Sequence, residues 1–209
     1  VQTCALPIYL RFFRINERIL AALGGSWDKP PLWKAADVEA FRPDAEQLLR
    51  EFTGHAFWGW KDPRNTLTLP FWKSLLPGLR IVACVRSPLE VAASLRTRDA
   101  HTYAVAMALW RQYHQQLIAN TRPEDRIVTH YDAYFHNPSA EIRRVLSLLG
   151  RPAPDDLVAQ CLSQIKLPLR HHKTIPPPVQ EWAMDADIIT LYRRSCDEAG
   201  WPLTQERSP

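Results

Sequence analysis

Apolar positions along the chain switch between two spacings, and the switching predicts helices and short buried strands in turn. Ile15, Ile19, Leu20 and Leu23 recur at helical spacing, and Gly24-Gly25 ends the run as a helix C-terminus does. A second helical stretch over 38–52 carries Phe41, Leu48, Leu49 and Phe52, with Pro43 disturbing its start. Residues 56–60, AFWGW, form a short apolar run ahead of the charged KDPR, the pattern of a strand delivering its C-terminal end to a site. A helix is expected over 66–76, ended by Pro77-Gly78. The β-branched run 80–85, RIVACV, reads as a strand covered on both faces. Pro88 opens a helix where its missing N–H costs nothing, and 101–120 is the clearest helix, with Tyr103, Met107, Trp110, Tyr113, His114 and Leu117 on one stripe. Residues 126–129 form a third strand candidate, 140–149 a helix ended by Gly150, and 186–199 a last helix. Strands alternating with helices imply parallel βαβ units in an open sheet covered by helices.

Composition narrows the class without changing that picture. The 209 residues are 46% hydrophobic and 23% charged, which suits one globular domain, and no Pro/Gly/Ser linker divides them. The longest apolar run, 104–110, is far short of the roughly 20 residues of a membrane-spanning helix. Cys4, Cys84, Cys161 and Cys196 have neither CxxC spacing nor scaffold density, so reduced thiols in a cytoplasmic setting are expected, and no metal site is visible. Formal net charge is +4, yet residues 61–98 hold seven basic residues against Asp62 and Glu90. This concentration fits an anionic ligand or a solvated basic face.

Two segments carry the chemistry. In VRSPLEVAASL, Arg86 follows a strand end and Pro88 begins a helix whose positive end points back at it, a geometry that favours phosphate. Ser94 lies eight residues after Arg86, about two helical turns in, and reaches the same phosphate only if the ligand lies along the helix. In WGWKDPR, Lys61 offers a compact, mobile charge for an oxygen on which charge develops. Asp62 is read either as a proton acceptor or as a structural residue that pairs with Arg64 or caps the next helix. Arg64 likewise either reaches phosphate or holds its loop. His101, His114 and His130 are candidate bases with a structural alternative.

These segments resemble sulfotransferases that use 3′-phosphoadenosine 5′-phosphosulfate, of a bacterial group related to carbohydrate sulfotransferases. The resemblance runs from about Phe13 to the last helix. In that family an Arg at a strand end and a Ser eight residues later bind the 3′-phosphate, which implies this role for Arg86 and Ser94. WGWKDPR and the continuous TLTLPFWKSLLPGLRIVACVRSPLEVAASL strengthen the likeness, and HYDAYFHNP resembles the YED…P segment whose Tyr lies near the adenine. Tyr131 is thereby implied as a donor contact, although Asp132 stands where Glu is usual. LRHHK occupies the place of a basic segment closing over the nucleotide, which implies Arg170 as a contact, with His171 and His172 beside it. Trp27 and Asp28, in the SWDKPP loop, fall beside the expected acceptor pocket. The implied fold is a P-loop-NTPase-like three-layer α/β/α arrangement around a parallel sheet. The implied co-substrate is the nucleotide sulfate, with no metal; the implied partner is a sugar, lipid or small-molecule acceptor, and not nucleic acid.

The family's Gly-, Ser- and Thr-rich loop for the 5′-phosphosulfate is not found from Tyr9 onward, and GxxxxGK[ST] is absent. Residues 1–8, VQTCALPI, resemble the translation of a sequencing adapter, so the expected domain is 9–209, N-terminally incomplete and without activity as it stands. Two alternatives are kept: a P-loop kinase-like nucleotide-binding enzyme, which would bind its phosphates at that same loop, and a non-catalytic fragment or pseudoenzyme.

Overall fold

The computed structural model describes residues 5–165 and 185–202. In chain order the helices are α1 (Ala5–Ala22), α2 (Ala35–Val38), α3 (Arg42–Arg50) and α4 (Asn65–Leu75). Strand β1 (Ile81–Val85) follows, then α5 (Pro88–Asp99), α6 (Tyr103–Asn120) and β2 (Arg126–His130). The remainder is α7 (Ala133–His136), α8 (Pro138–Leu148), α9 (Asp155–Ser163) and α10 (Ala186–Ala199). The chain divides into two compact units, one of Val1–Leu79 with Gln116–Asn120, the other of Arg80–Gln115 with Thr121–Pro209.

The first unit is helical. The stripe of α1 extends beyond the one read from sequence: Phe12, Ile15 and Ile19 pack with Val38, Ala45, Leu48, Phe71 and Trp72 in one buried cluster. Gly25 follows α1 at a point of close approach. A Cβ there would stand 2.5 Å from the Lys29 carbonyl oxygen, so only glycine admits the tight turn at Ser26–Lys29. The stretch 38–52 is not one helix. A short α2 gives way to a 3₁₀ turn at Glu39–Phe41, and α3 starts afresh with Pro43 in its first turn, where proline's missing N–H is harmless.

Residues 56–60 are not a strand. The only sheet among the described residues is two-stranded, so the segment has no ladder to join. Its tryptophans are committed elsewhere: Trp58 stacks on Phe52 (4.1 Å between ring centroids) and Trp60 on Phe12 (4.3 Å). Aromatic stacking, not β pairing, fixes the course of this segment.

The second unit holds the sheet. β1 and β2 pair in parallel, Ile81 opposite Arg126 through Val85 opposite His130, with α5 and α6 lying between them in sequence as a parallel crossover requires. Every residue of β2 is buried, whereas β1 alternates: Val82 is 43% exposed and Cys84 is exposed. The expected cover on both faces is therefore not met by β1, whereas β2 is covered throughout. Residue type alone cannot say which face of an apolar strand is covered. Ile188, Tyr192, Cys196 and Ala199 form the inner stripe of α10 and pack with Val85, Trp110 and Val128. Full burial of each large apolar side chain contributes roughly 1.5–3 kcal/mol. Arg126 anchors the same helix to β2 through paired bonds of 2.6 and 2.7 Å to the Glu198 carboxylate. No helix among the described residues is long and apolar enough to cross a membrane.

Candidate functional site

Arg86 and Tyr131 emerge side by side because they are the first residues beyond two strand ends in register. The Tyr131 N–H donates to the Val85 carbonyl at 2.7 Å, extending the ladder past β2, and the Arg86 guanidinium carbon lies 4.4 Å from the Tyr131 ring centroid. The backbone of Arg86 is also fixed, since the Trp110 indole N–H donates to its carbonyl at 3.1 Å. Pro88 then starts α5, whose N-cap, Ser87, makes no side-chain cap.

The guanidinium itself is only partly satisfied. Its Nε donates to Glu90 Oε2 at 2.6 Å, while Nη2 is buried and meets no acceptor. A buried charged donor without a partner costs on the order of 1–3 kcal/mol or more, a penalty that an arriving anion removes. Ser94 is half-buried in the second turn of α5. Glu90 and Ser94 are four residues apart within α5, the interval that brings side chains onto one helix face, and Arg86 precedes the helix.

His130, next to Tyr131, is fully buried. Its Nδ1 accepts the Asp132 N–H at 3.2 Å, so the network assigns its proton to Nε2, which donates to the Tyr192 hydroxyl at 3.0 Å. Asp132 Oδ2 lies 3.7 Å from Nδ1, but this is no ion pair at neutral pH. Burial pushes the imidazole down to about 4, outweighing the pull of Asp132 and Glu141. The ring also stacks flat on Trp201 at 4.8 Å. His114 is likewise taken down to about 4 by burial; its Nδ1–H donates to the Trp110 carbonyl at 2.8 Å. Both rings are neutral packing elements of the second unit.

In the first unit, the WKDPRN loop is held by a buried polar network centred on a residue not singled out from sequence. Asn16 uses all its hydrogen-bonding capacity: its Nδ2 donates to Asp62 Oδ2 and Asn65 Oδ1 (both 2.9 Å), and its Oδ1 accepts from Thr68 and the Trp72 indole (both 2.8 Å). Trp60 adds a bond from its indole to Asn65 Oδ1 at 3.0 Å. The signal was present, since Asn16 is a polar residue inside the apolar stripe of α1. Asp62 is 5% exposed, and its Oδ1 accepts from both the backbone N–H and Nη1 of Arg64 at 3.1 Å. Asp62 thus pairs with Arg64 and does not cap α4, whose N-cap is Arg64 with no side-chain cap. Arg64 also bonds Glu17 and lies 4.3 Å over the Phe13 ring. Burial works against its charge, yet the bonds to Glu17 and Asp62 prevail and hold the guanidinium above its ordinary range. Lys61, next to the buried Asp62, is exposed.

The structure therefore brings Arg86 and Tyr131 into contact, places Ser94 farther along α5, and ties Asp62 to Arg64. Arg170 lies outside the described residues. Trp27 and Asp28 are half-buried in the turn after α1, where Ser26 Oγ donates to Asp28 Oδ1 at 2.5 Å. Nothing in the sequence pattern marks Glu90 and Trp110, which fix the side chain and the backbone of Arg86, as site residues; Trp110 belongs to the apolar stripe of α6.

The second unit thus presents a parallel strand pair in an α/β arrangement, with an incompletely satisfied arginine just beyond its C-terminal end. Residues 16–155, more than half of the chain, match the model of the sulfotransferase family, and the chain belongs to that family. No curated protein and no solved structure matches it.

Proposed function

We propose that this sulfotransferase-family chain uses 3′-phosphoadenosine 5′-phosphosulfate and passes its sulfuryl group to a hydroxyl or amine of a sugar, lipid or small molecule. In the reaction the acceptor atom attacks sulfur, the bond from sulfur to the 5′-phosphate oxygen breaks, and adenosine 3′,5′-bisphosphate leaves as the acceptor loses its proton. Arg86 and Ser94 take the 3′-phosphate, and the Tyr131 ring flanks the base. Lys61 meets charge developing on the sulfuryl or bridging oxygen, a task suited to an exposed ammonium. Asp62 and Arg64 are assigned to holding the Lys61 loop. Both oxygens of Asp62 already accept hydrogen bonds, which disfavours it as the proton acceptor.

The observation that carries the reading is the buried, unpartnered Nη2 of Arg86 beside an aromatic ring. The test is calorimetric titration with adenosine 3′,5′-bisphosphate and adenosine 5′-monophosphate. Wild type is expected to prefer the bisphosphate, and Arg86→Ala to lose on the order of tenfold or more in affinity for it alone, as for a charged hydrogen bond of about 1.5–3 kcal/mol. Equal losses for the two nucleotides would refute the assignment.

A further inference from the structure

We infer that Glu90 is a positioning residue for donor recognition, holding Arg86 ready for the 3′-phosphate; this rests on the role given to Arg86 above. Three contacts define the guanidinium's pose. The guanidinium carbon lies over the Tyr131 ring, Nε donates to Glu90 Oε2 at 2.6 Å, and the Arg86 backbone carbonyl from which the side chain springs is held by Trp110. Nη2 is the donor left without a partner, and it is buried. Glu90 is well placed for the task because it is the third residue of α5, where the helix's positive end stabilises a carboxylate.

A carboxylate beside an anion site has two opposite possible effects, and the geometry decides between them. As a competitor, Glu90 would occupy the donors an incoming phosphate needs. The structure shows it on Nε, with Nη2 left over. An arginine side chain carries about 2 kcal/mol of rotamer entropy, and a residue that fixes it beforehand spares the ligand that cost. Glu90 therefore strengthens binding of the 3′-phosphate despite its negative charge.

The experiment titrates wild type, Glu90→Ala and Glu90→Gln with adenosine 3′,5′-bisphosphate and adenosine 5′-monophosphate, with circular dichroism to establish folding. Glu90→Ala is expected to weaken the bisphosphate about tenfold, or 1.4 kcal/mol, and to leave the monophosphate unchanged. Glu90→Gln keeps a neutral acceptor for Nε, so it recovers most of that loss, to within about threefold of wild type. Tighter bisphosphate binding in Glu90→Ala would show a competitor and overturn the inference. Equal loss for both nucleotides, or no recovery in Glu90→Gln, overturns it as well. If wild type prefers the bisphosphate and both variants match it, the positioning role falls while the function proposed for Arg86 stands; if wild type shows no preference, both fall.

Discussion

Two loops of similar sequence character, KDPR in the first unit and RSPLE in the second, meet opposite fates. Each combines a basic residue, an acidic residue and a proline around the start of a helix. In the first, Asp62 and Arg64 are bound to one another and to Asn16, Glu17 and Phe13. In the second, Arg86 has one carboxylate, one ring and a buried nitrogen with no acceptor. The same residue types thus build a satisfied network in one place and leave a buried donor without an acceptor in the other. Satisfaction of hydrogen bonds separates the two, and residue type does not.

The sharpest way to break this contrast is to remove the hub of the satisfied network. Asn16→Leu leaves the Trp72 indole and Asp62 Oδ2 without the partners they have now, at about 1–3 kcal/mol for each group. A loss of roughly 3 kcal/mol in urea denaturation is expected. A loss below about 1 kcal/mol would mean that the network is not holding the loop.

The next effect is a pH dependence located in the second unit. His130 has a folded-state pKa near 4 against an ordinary 6.5, so between these values the unfolded chain binds the proton and the folded chain does not. Its contribution to stability is complete above about 6.5 and is lost as pH falls toward 4, at up to about 1.4 kcal/mol per pH unit. His130→Phe should flatten that slope in denaturation measured from pH 7 to 4.5. An unchanged slope would contradict the neutral assignment.

The smallest expected effect is the most telling for the comparison. Arg86→Leu removes an unsatisfied donor along with one bond to Glu90, so stability should change by less than about 1 kcal/mol even as nucleotide recognition is lost. A loss as large as that of Asn16→Leu would place Arg86 with the scaffold.

Much of this was legible in the sequence, for identifiable reasons. Pro88 and Gly150 punctuate helices by local backbone chemistry, so the start of α5 and the end of α8 are legible nearly to the residue, and the last helix is observed at the expected 186–199. The segment 56–60 misled because tryptophan suits a strand and an aromatic stack equally, and only tertiary partners decide. At the site, Arg86 and Tyr131 were read from a strand end and a family likeness. Their contact follows from the β1–β2 register, which no local pattern encodes. Asn16 was missed because its partners lie 46 to 56 residues away, although a polar residue in an apolar stripe announces some buried partner.

The central claim, that Arg86 Nη2 is vacant for a phosphate, is tested most directly by a crystal structure with adenosine 3′,5′-bisphosphate bound. The account predicts a 3′-phosphate oxygen about 2.9 Å from Nη2, with Nε still on Glu90 and the adenine near Tyr131. A nucleotide bound with its 3′-phosphate elsewhere and Nη2 still without an acceptor would contradict it.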